Sequence, residues 1–207
     1  MSYDIFSLGH ADLSIERFIG LLAQAEVSAV ADVRSSPFSR RAPWFNRPEL
    51  TESLKLKGIL YGFFGKELGG RPRDPAQYTG GVADYSKMAQ TISYLHGLER
   101  LISGNQRHRV AMICSERDPL ECHRCLLVSR SLFELGVDVQ HIHHTGKVEL
   151  QSEALERLFF EERIPTEDKM WQWDDRVDMA FKKRSARVAY SIKSRDQTVE
   201  AWHPKLL

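Results

Sequence analysis

Apolar positions along the chain alternate between short runs and helical stripes. A run over residues 4–8 precedes "SIERFIGLLAQAE", where Ile15, Phe18, Leu21 and Leu22 share one stripe, and "SAVADV" then reads as a second strand. The segment "PELTESLKLKG" predicts a helix from Pro48 to Gly58, because proline suits the first helical position and glycine the position after the last. A strand over residues 59–63, a long helix through "YSKMAQTISYLHGLERLI" and a fourth strand in "RVAMIC" follow. "ECHRCLLVSRSLFELG" then predicts a helix stopped by Gly136, and "VDVQHIH" a fifth strand. Strands alternating with crossover helices predict an α/β fold: a mostly parallel sheet of about five strands with helices on both faces.

In open sheets of this kind ligands sit beyond the carboxyl ends of the strands, where the strand-to-helix loops meet. The first strand ends in Gly9-His10, the second in Asp32-Val33-Arg34, and the third runs toward "GKELGGRPR". The fourth ends in Cys114-Ser115-Glu116 and the fifth carries His141. All five lead into reactive side chains, which is the strongest functional signal along the chain. Asp32 and Arg34, two apart at a strand end, point the same way and suit a salt bridge or a ligand clamp.

The densest chemistry lies in "CSERDPLECHR". Asp118-Pro119-Leu120-Glu121 has the form of a helix start, with aspartate as cap, proline in the first position and glutamate closing a capping box. That places Cys122, His123 and Arg124 in the opening turns, where unpaired backbone N–H groups favour anions and ionised thiols. The pattern offers Cys114 or Cys122 as nucleophile, His10, His123 or His141 as acid-base groups, and Arg34, Arg71 and Arg124 as anion clamps. The cysteine-phosphatase spacing is not met, because Leu120 stands where its arginine would be. A metal such as zinc on Cys114, Cys122 and one or more histidines, and a plain buried-thiol role, remain open, with Cys125 fitting the latter best. The sequence assigns no metal and no cofactor.

A formal charge of +1 leaves any charge-driven partner to a local patch. From residue 163 a basic extension begins. Residues 176–207 carry Arg176, Lys182, Lys183, Arg184, Arg187, Lys193, Arg195 and Lys205, interleaved with Phe181, Tyr190 and Trp202. Such a tail suits a nucleic-acid backbone, or else a helix packed through Val177, Phe181 and Val188. No window approaches the roughly 18 apolar residues of a membrane span, so no membrane partner is expected. With three cysteines in twelve positions, too few for a disulfide framework, a cytoplasmic location is expected. The expected organisation is an α/β domain over residues 1–162 and the extension over 163–207.

Several of these stretches, in order, resemble the family catalogued as domain of unknown function 488. They are "SLGHADLSIERFIGLLAQAEVSAVADVRSSPFSRRAPWFNRPELTESLKLKGILYGFFGKELGGRP", "CSERDPLECHRCLLVSRSL" and "VQHI". The resemblance spans about residues 3–145. It maps the family's characteristic positions onto Gly9, His10, Asp32, Arg34, Pro37, Ser39, Arg40, Phe45, Asn46, Gly69, Gly70 and Arg71, then Cys114, Glu116, Cys122, His123, Arg124 and His141. Ala11 departs from the serine that commonly follows the Gly-His pair. The resemblance implies a compact α/β domain with a polar strand-end site, and no activity. With the residues above it sets out Cys114, Cys122, His123, His10 and Glu116 as catalytic candidates. Arg34, Asp32, Arg71, Arg124, His141 and Asn46 would hold an anionic small molecule or nucleotide, acted on by a cysteine-dependent hydrolase or transferase.

Overall fold

A computed structural model describes residues 4–137, 139–165 and 172–192. In chain order the elements are β1 (Ile5–Gly9), α1 (Ile15–Gln24), β2 (Ala29–Asp32), α2 (Arg47–Lys55) and β3 (Leu60–Phe63). A hairpin of β4 (Tyr78–Thr79) and β5 (Val82–Ala83) precedes α3 (Tyr85–Ala89), α4 (Ile92–Asn105) and β6 (Val110–Cys114). A π-helical turn (Arg124–Ser129) runs into α5 (Arg130–Glu134), followed by β7 (Val139–Ile142), β8 (Val148–Leu150), α6 (Gln151–Glu162) and α7 (Trp173–Val188).

Six strands form the main sheet in the order β3-β2-β6-β1-β7-β8, all parallel except β8, which pairs antiparallel with β7. The expected five strands are therefore present, with β8 added as an antiparallel edge. Side chains alternate between the two faces. Phe6, Leu8, Val30, Ala111 and Ile113 pack with Phe18, Leu21 and Leu22 of α1 and Leu50 and Leu54 of α2. Ile5, Ala31, Val33, Met112 and Cys114 pack on the other face with α4, the π-turn, α5 and α6. The α1 stripe read from the sequence is thus the core stripe, and Ser14 caps it by accepting from the Arg17 N–H.

Two elements differ from the sequence reading. The long helix over residues 85–102 is broken into α3 and α4. Thr91 takes an extended conformation, and its side chain accepts from the Tyr94 N–H, restarting the helix. The β4–β5 hairpin turns through Gly80 and Gly81, both at positive φ, a conformation open to glycine.

In the tail, α7 packs on the same core through Ala180 and Phe181. Arg184, 4% exposed, pairs with Glu162 (2.6 Å), Glu161 (2.5 Å) and Glu121 (2.9 Å), and Arg187 bonds Glu162 at 2.9 Å. These two arginines are thereby committed to carboxylates of their own chain. Lys193, Arg195, Trp202 and Lys205 lie outside the described residues. No helix among the described residues is long and apolar enough to cross a membrane.

Candidate functional site

The carboxyl edge of the central strands is laced together by backbone bonds. Gly9 of β1 sits opposite Cys114 of β6, and the chain continues the pairing beyond both strands: His10 N–H to Cys114 O at 2.9 Å and Ala11 N–H to Ser115 O at 2.8 Å. On the other side of β6 the Val33 N–H bonds Ile113 O at 3.2 Å. Three loops far apart in sequence are thereby held side by side.

Asp118 caps a short 3₁₀ turn, Pro119–Glu121, and the helix begins only after it. This corrects the expected helix start. Cys122 is extended (φ −143°, ψ 141°), its carbonyl accepts from the Cys125 and Leu126 N–H groups, and its sulfur accepts from the Arg124 N–H at 3.5 Å. Cys122 therefore acts as the cap of the π-turn, with its sulfur at the positive end of the helix.

Around that sulfur four candidate residues meet. Cys114, Cys122 and His123 bring two sulfurs and a ring nitrogen within 4.8 Å of one another. Glu116 Oε2 lies 2.9 Å from the Cys114 sulfur and 3.1 Å from that of Cys122. His123 Nε2 lies 3.0 Å from Val33 O, which can only accept, so Nε2 carries a hydrogen. Nδ1 faces both sulfurs, 3.7 and 3.8 Å away. Burial opposes ionising either thiol. For Cys122 the hydrogen bond from Cys114 and the charges of Arg124 and His123 outweigh it and lower the pKa. Cys114, buried beside that thiolate, is pushed up and keeps its proton. Burial pushes Cys125 to about 12, consistent with a core role.

Next to this group, Asp32 is fully buried and binds Arg34 twice, Oδ1 to Nε at 2.9 Å and Oδ2 to Nη2 at 2.6 Å. Arg34 Nη1 lies 3.2 Å from His10 Nε2, and the His10 ring stacks on Phe45 at 4.2 Å. Burial, aided by Arg34, lowers the His10 pKa to about 4. Arg124, 1% exposed, donates to the Glu116 and Arg117 carbonyls at 2.7 and 3.0 Å. It makes no ion pair among the described residues, and its Nε has no hydrogen-bond partner.

Gly70 lies flat on the His123 ring: a Cβ there would come within 2.7 Å of the ring carbon. Beside it Arg71 donates its backbone N–H to Ser35 Oγ at 3.0 Å, while its guanidinium lies over the Tyr190 ring. Asn46 is not in the cluster; its Oδ1 accepts from the Ser39 N–H and fixes the loop after β2. His141 also stands apart, between Ser7 Oγ at 2.6 Å and Gln151 Oε1 at 2.8 Å. Two tyrosines escaped the sequence reading. The Tyr61 hydroxyl donates to Asp32 Oδ2 at 2.8 Å, and the hydroxyl of the buried Tyr85 is held protonated by burial and then by the nearby thiols. Nothing in their sequence neighbourhoods marks them, because only strand register brings Tyr61 to Asp32. A crevice of about 1130 Å³ lies between α3, α4 and α7; Tyr85 lines it, and none of the catalytic or ligand-binding candidates read from the sequence does.

A family model described as "Domain of unknown function DUF488" matches residues 14–131, more than half of the chain. The chain belongs to the DUF488 family. The matched span of this DUF488 protein includes Asp32, Arg34, Asn46, Arg71, Cys114, Glu116, Cys122, His123 and Arg124, and ends on either side short of His10 and His141. No curated protein and no solved structure matches it.

His141 gives a pH prediction. Burial lowers its pKa to about 4, against 6.5 for the free ring. Between those values the unfolded chain takes up a proton that the folded chain refuses. Stability is therefore full above about pH 6.5 and is lost as the pH falls toward 4, by about 2 kcal/mol at pH 5 for such a group. Urea unfolding at pH 7 and pH 5 should show this loss, and His141→Gln should reduce it. Equal midpoints at the two pH values would contradict the assignment.

Proposed function

We propose that this DUF488 protein binds an anionic ligand, phosphorylated or nucleotide-like, at the carboxyl edge of the sheet and acts on it as a thiol-dependent hydrolase or transferase. The observation that carries the reading is Arg124. A guanidinium taken almost wholly out of water, with carbonyls as its hydrogen-bond partners and no carboxylate, favours negative charge beside it. Arg34 does not supply this need, since Asp32 already neutralises it. Cys122, as a thiolate, supplies part of that charge, and the edge beside Cys114, Cys122 and Glu116 is where the ligand's charge is placed in this reading. Gly70, in contact with His123, lets the following Arg71 reach the rim of the same edge with an exposed side chain.

Titration calorimetry with inorganic phosphate and with AMP tests this. Both should bind, more weakly as salt is raised, and Arg71→Ala should weaken binding about tenfold, as expected for loss of one charge-assisted contact. Heat signals absent for both probes in folded protein would overturn the reading.

A further inference from the structure

We propose that Cys114, Cys122, His123 and Glu116 together hold a divalent zinc-type metal ion. The inference rests on the reading above for its location and draws on the same Arg124 charge; the donor set that recognises the ion is separate. Two thiolate sulfurs, an imidazole nitrogen and a carboxylate oxygen form a donor set that selects zinc among the common divalent ions.

The spacing fits. Bonds of about 2.3 Å to sulfur and about 2.0–2.1 Å to nitrogen, at tetrahedral angles, hold sulfur and nitrogen roughly 3.6 Å apart. The His123 Nδ1 atom stands 3.7 Å from one sulfur and 3.8 Å from the other. The sulfur–oxygen separations of 2.9 and 3.1 Å are about half an ångström shorter than the corresponding edge, so an entering ion moves the Glu116 carboxylate outward by about that much.

The surroundings suit a metal ligand set as well. His123 gives its other ring nitrogen to the Val33 carbonyl, the arrangement that turns the bare Nδ1 toward an ion and fixes the ring plane. The Arg124 N–H points at the Cys122 sulfur, which stabilises a thiolate. Charge closes too: two thiolates, one carboxylate and one divalent cation sum to a net charge of −1, and the Arg124 guanidinium, which has no carboxylate partner, balances it. Cys125 is not in the set; its sulfur faces Gln151 at 3.6 Å.

The full chain, stripped with a chelator and shown by circular dichroism to remain folded, should be titrated with cobalt(II) as a visible stand-in for zinc. The expected result is one equivalent per chain. It should produce the d–d bands of tetrahedral cobalt and a sulfur-to-cobalt charge-transfer band, both displaced by zinc. Cys125→Ser should keep the spectrum, whereas Cys114→Ser and Cys122→Ser should weaken the charge-transfer band. Since either serine variant could fail to fold, alkylation of wild-type protein followed by peptide mass mapping serves as a second readout. Zinc should protect Cys114 and Cys122 at least tenfold against iodoacetamide and leave Cys125 unchanged. Folded wild-type protein that binds phosphate but gives neither bands nor protection overturns the metal assignment and leaves the anion reading standing. Bands and protection without phosphate or AMP binding establish the metal and overturn the anion reading.

Discussion

Gly9→Ala is expected to destabilise the fold by about 3 kcal/mol or more, a large share of the roughly 5–15 kcal/mol that holds a domain folded. A Cβ at residue 9 would lie 1.6 Å from the Glu116 carbonyl oxygen and 3.1 Å from Arg124 Nη1. The carbonyl is backbone, locked in place because it accepts from Arg124, so it cannot swing aside as a flexible side chain would. The variant must separate the β1 and β6 loops, and with them the site. Gly20→Ala is the matched control. A Cβ there meets nothing within 4 Å on α1, and the substitution should stabilise by about 0.5–1 kcal/mol through helix propensity. Urea unfolding reads both. Similar midpoints for the two variants would mean that the loops are not in contact.

Asp32→Ala has the second large effect, about 3–5 kcal/mol. The substitution leaves Arg34, 4% exposed, buried without its carboxylate, and removes the acceptor of the Tyr61 hydroxyl as well. Most of the loss comes from the stranded charge, not from a missing attraction. The double variant Asp32→Ala/Arg34→Met should therefore recover at least half of it. A double variant as unstable as the single one would show that Arg34 is not desolvated as described. Of the two roles read from its spacing, the structure shows the salt bridge: Asp32 and Arg34 pair with each other, Arg34 Nη1 lies 3.2 Å from His10 Nε2, and Arg124 has no carboxylate partner among the described residues.

The strand-end candidates and the α/β class were legible in the sequence because both follow from local periodicity. Phe18, Leu21 and Leu22 mark one face of a helix, and parallel strands joined by crossovers send their loops to one edge. What was not legible depended on register and on competition among local bonds. Asp118-Pro119 reads as a helix cap, and it is one, but of a single 3₁₀ turn; Cys122 then recaps the chain with its own sulfur. The break at Thr91 was hidden because a polar cap inside an otherwise periodic stretch looks like a surface position. Asn46, just before α2, and His141, within β7, are polar residues whose bonds are to their own neighbourhoods, Ser39 in one case and Ser7 with Gln151 in the other. Sequence alone could not separate them from Glu116, whose carboxylate reaches both thiols. The gap between Cys114 and Cys122 resembles no common metal motif, yet the 3₁₀ turn folds it back so that both sulfurs meet one imidazole.

The histidines allow the place of binding to be read directly. His10 and His123 flank the proposed edge, whereas His108 precedes β6 at the opposite edge of the sheet. Imidazole resonances followed by heteronuclear NMR during addition of phosphate or AMP should shift at His10 and His123 and stay fixed at His108. Saturating additions that leave His10 and His123 unmoved, or that move His108 in their place, would contradict the account.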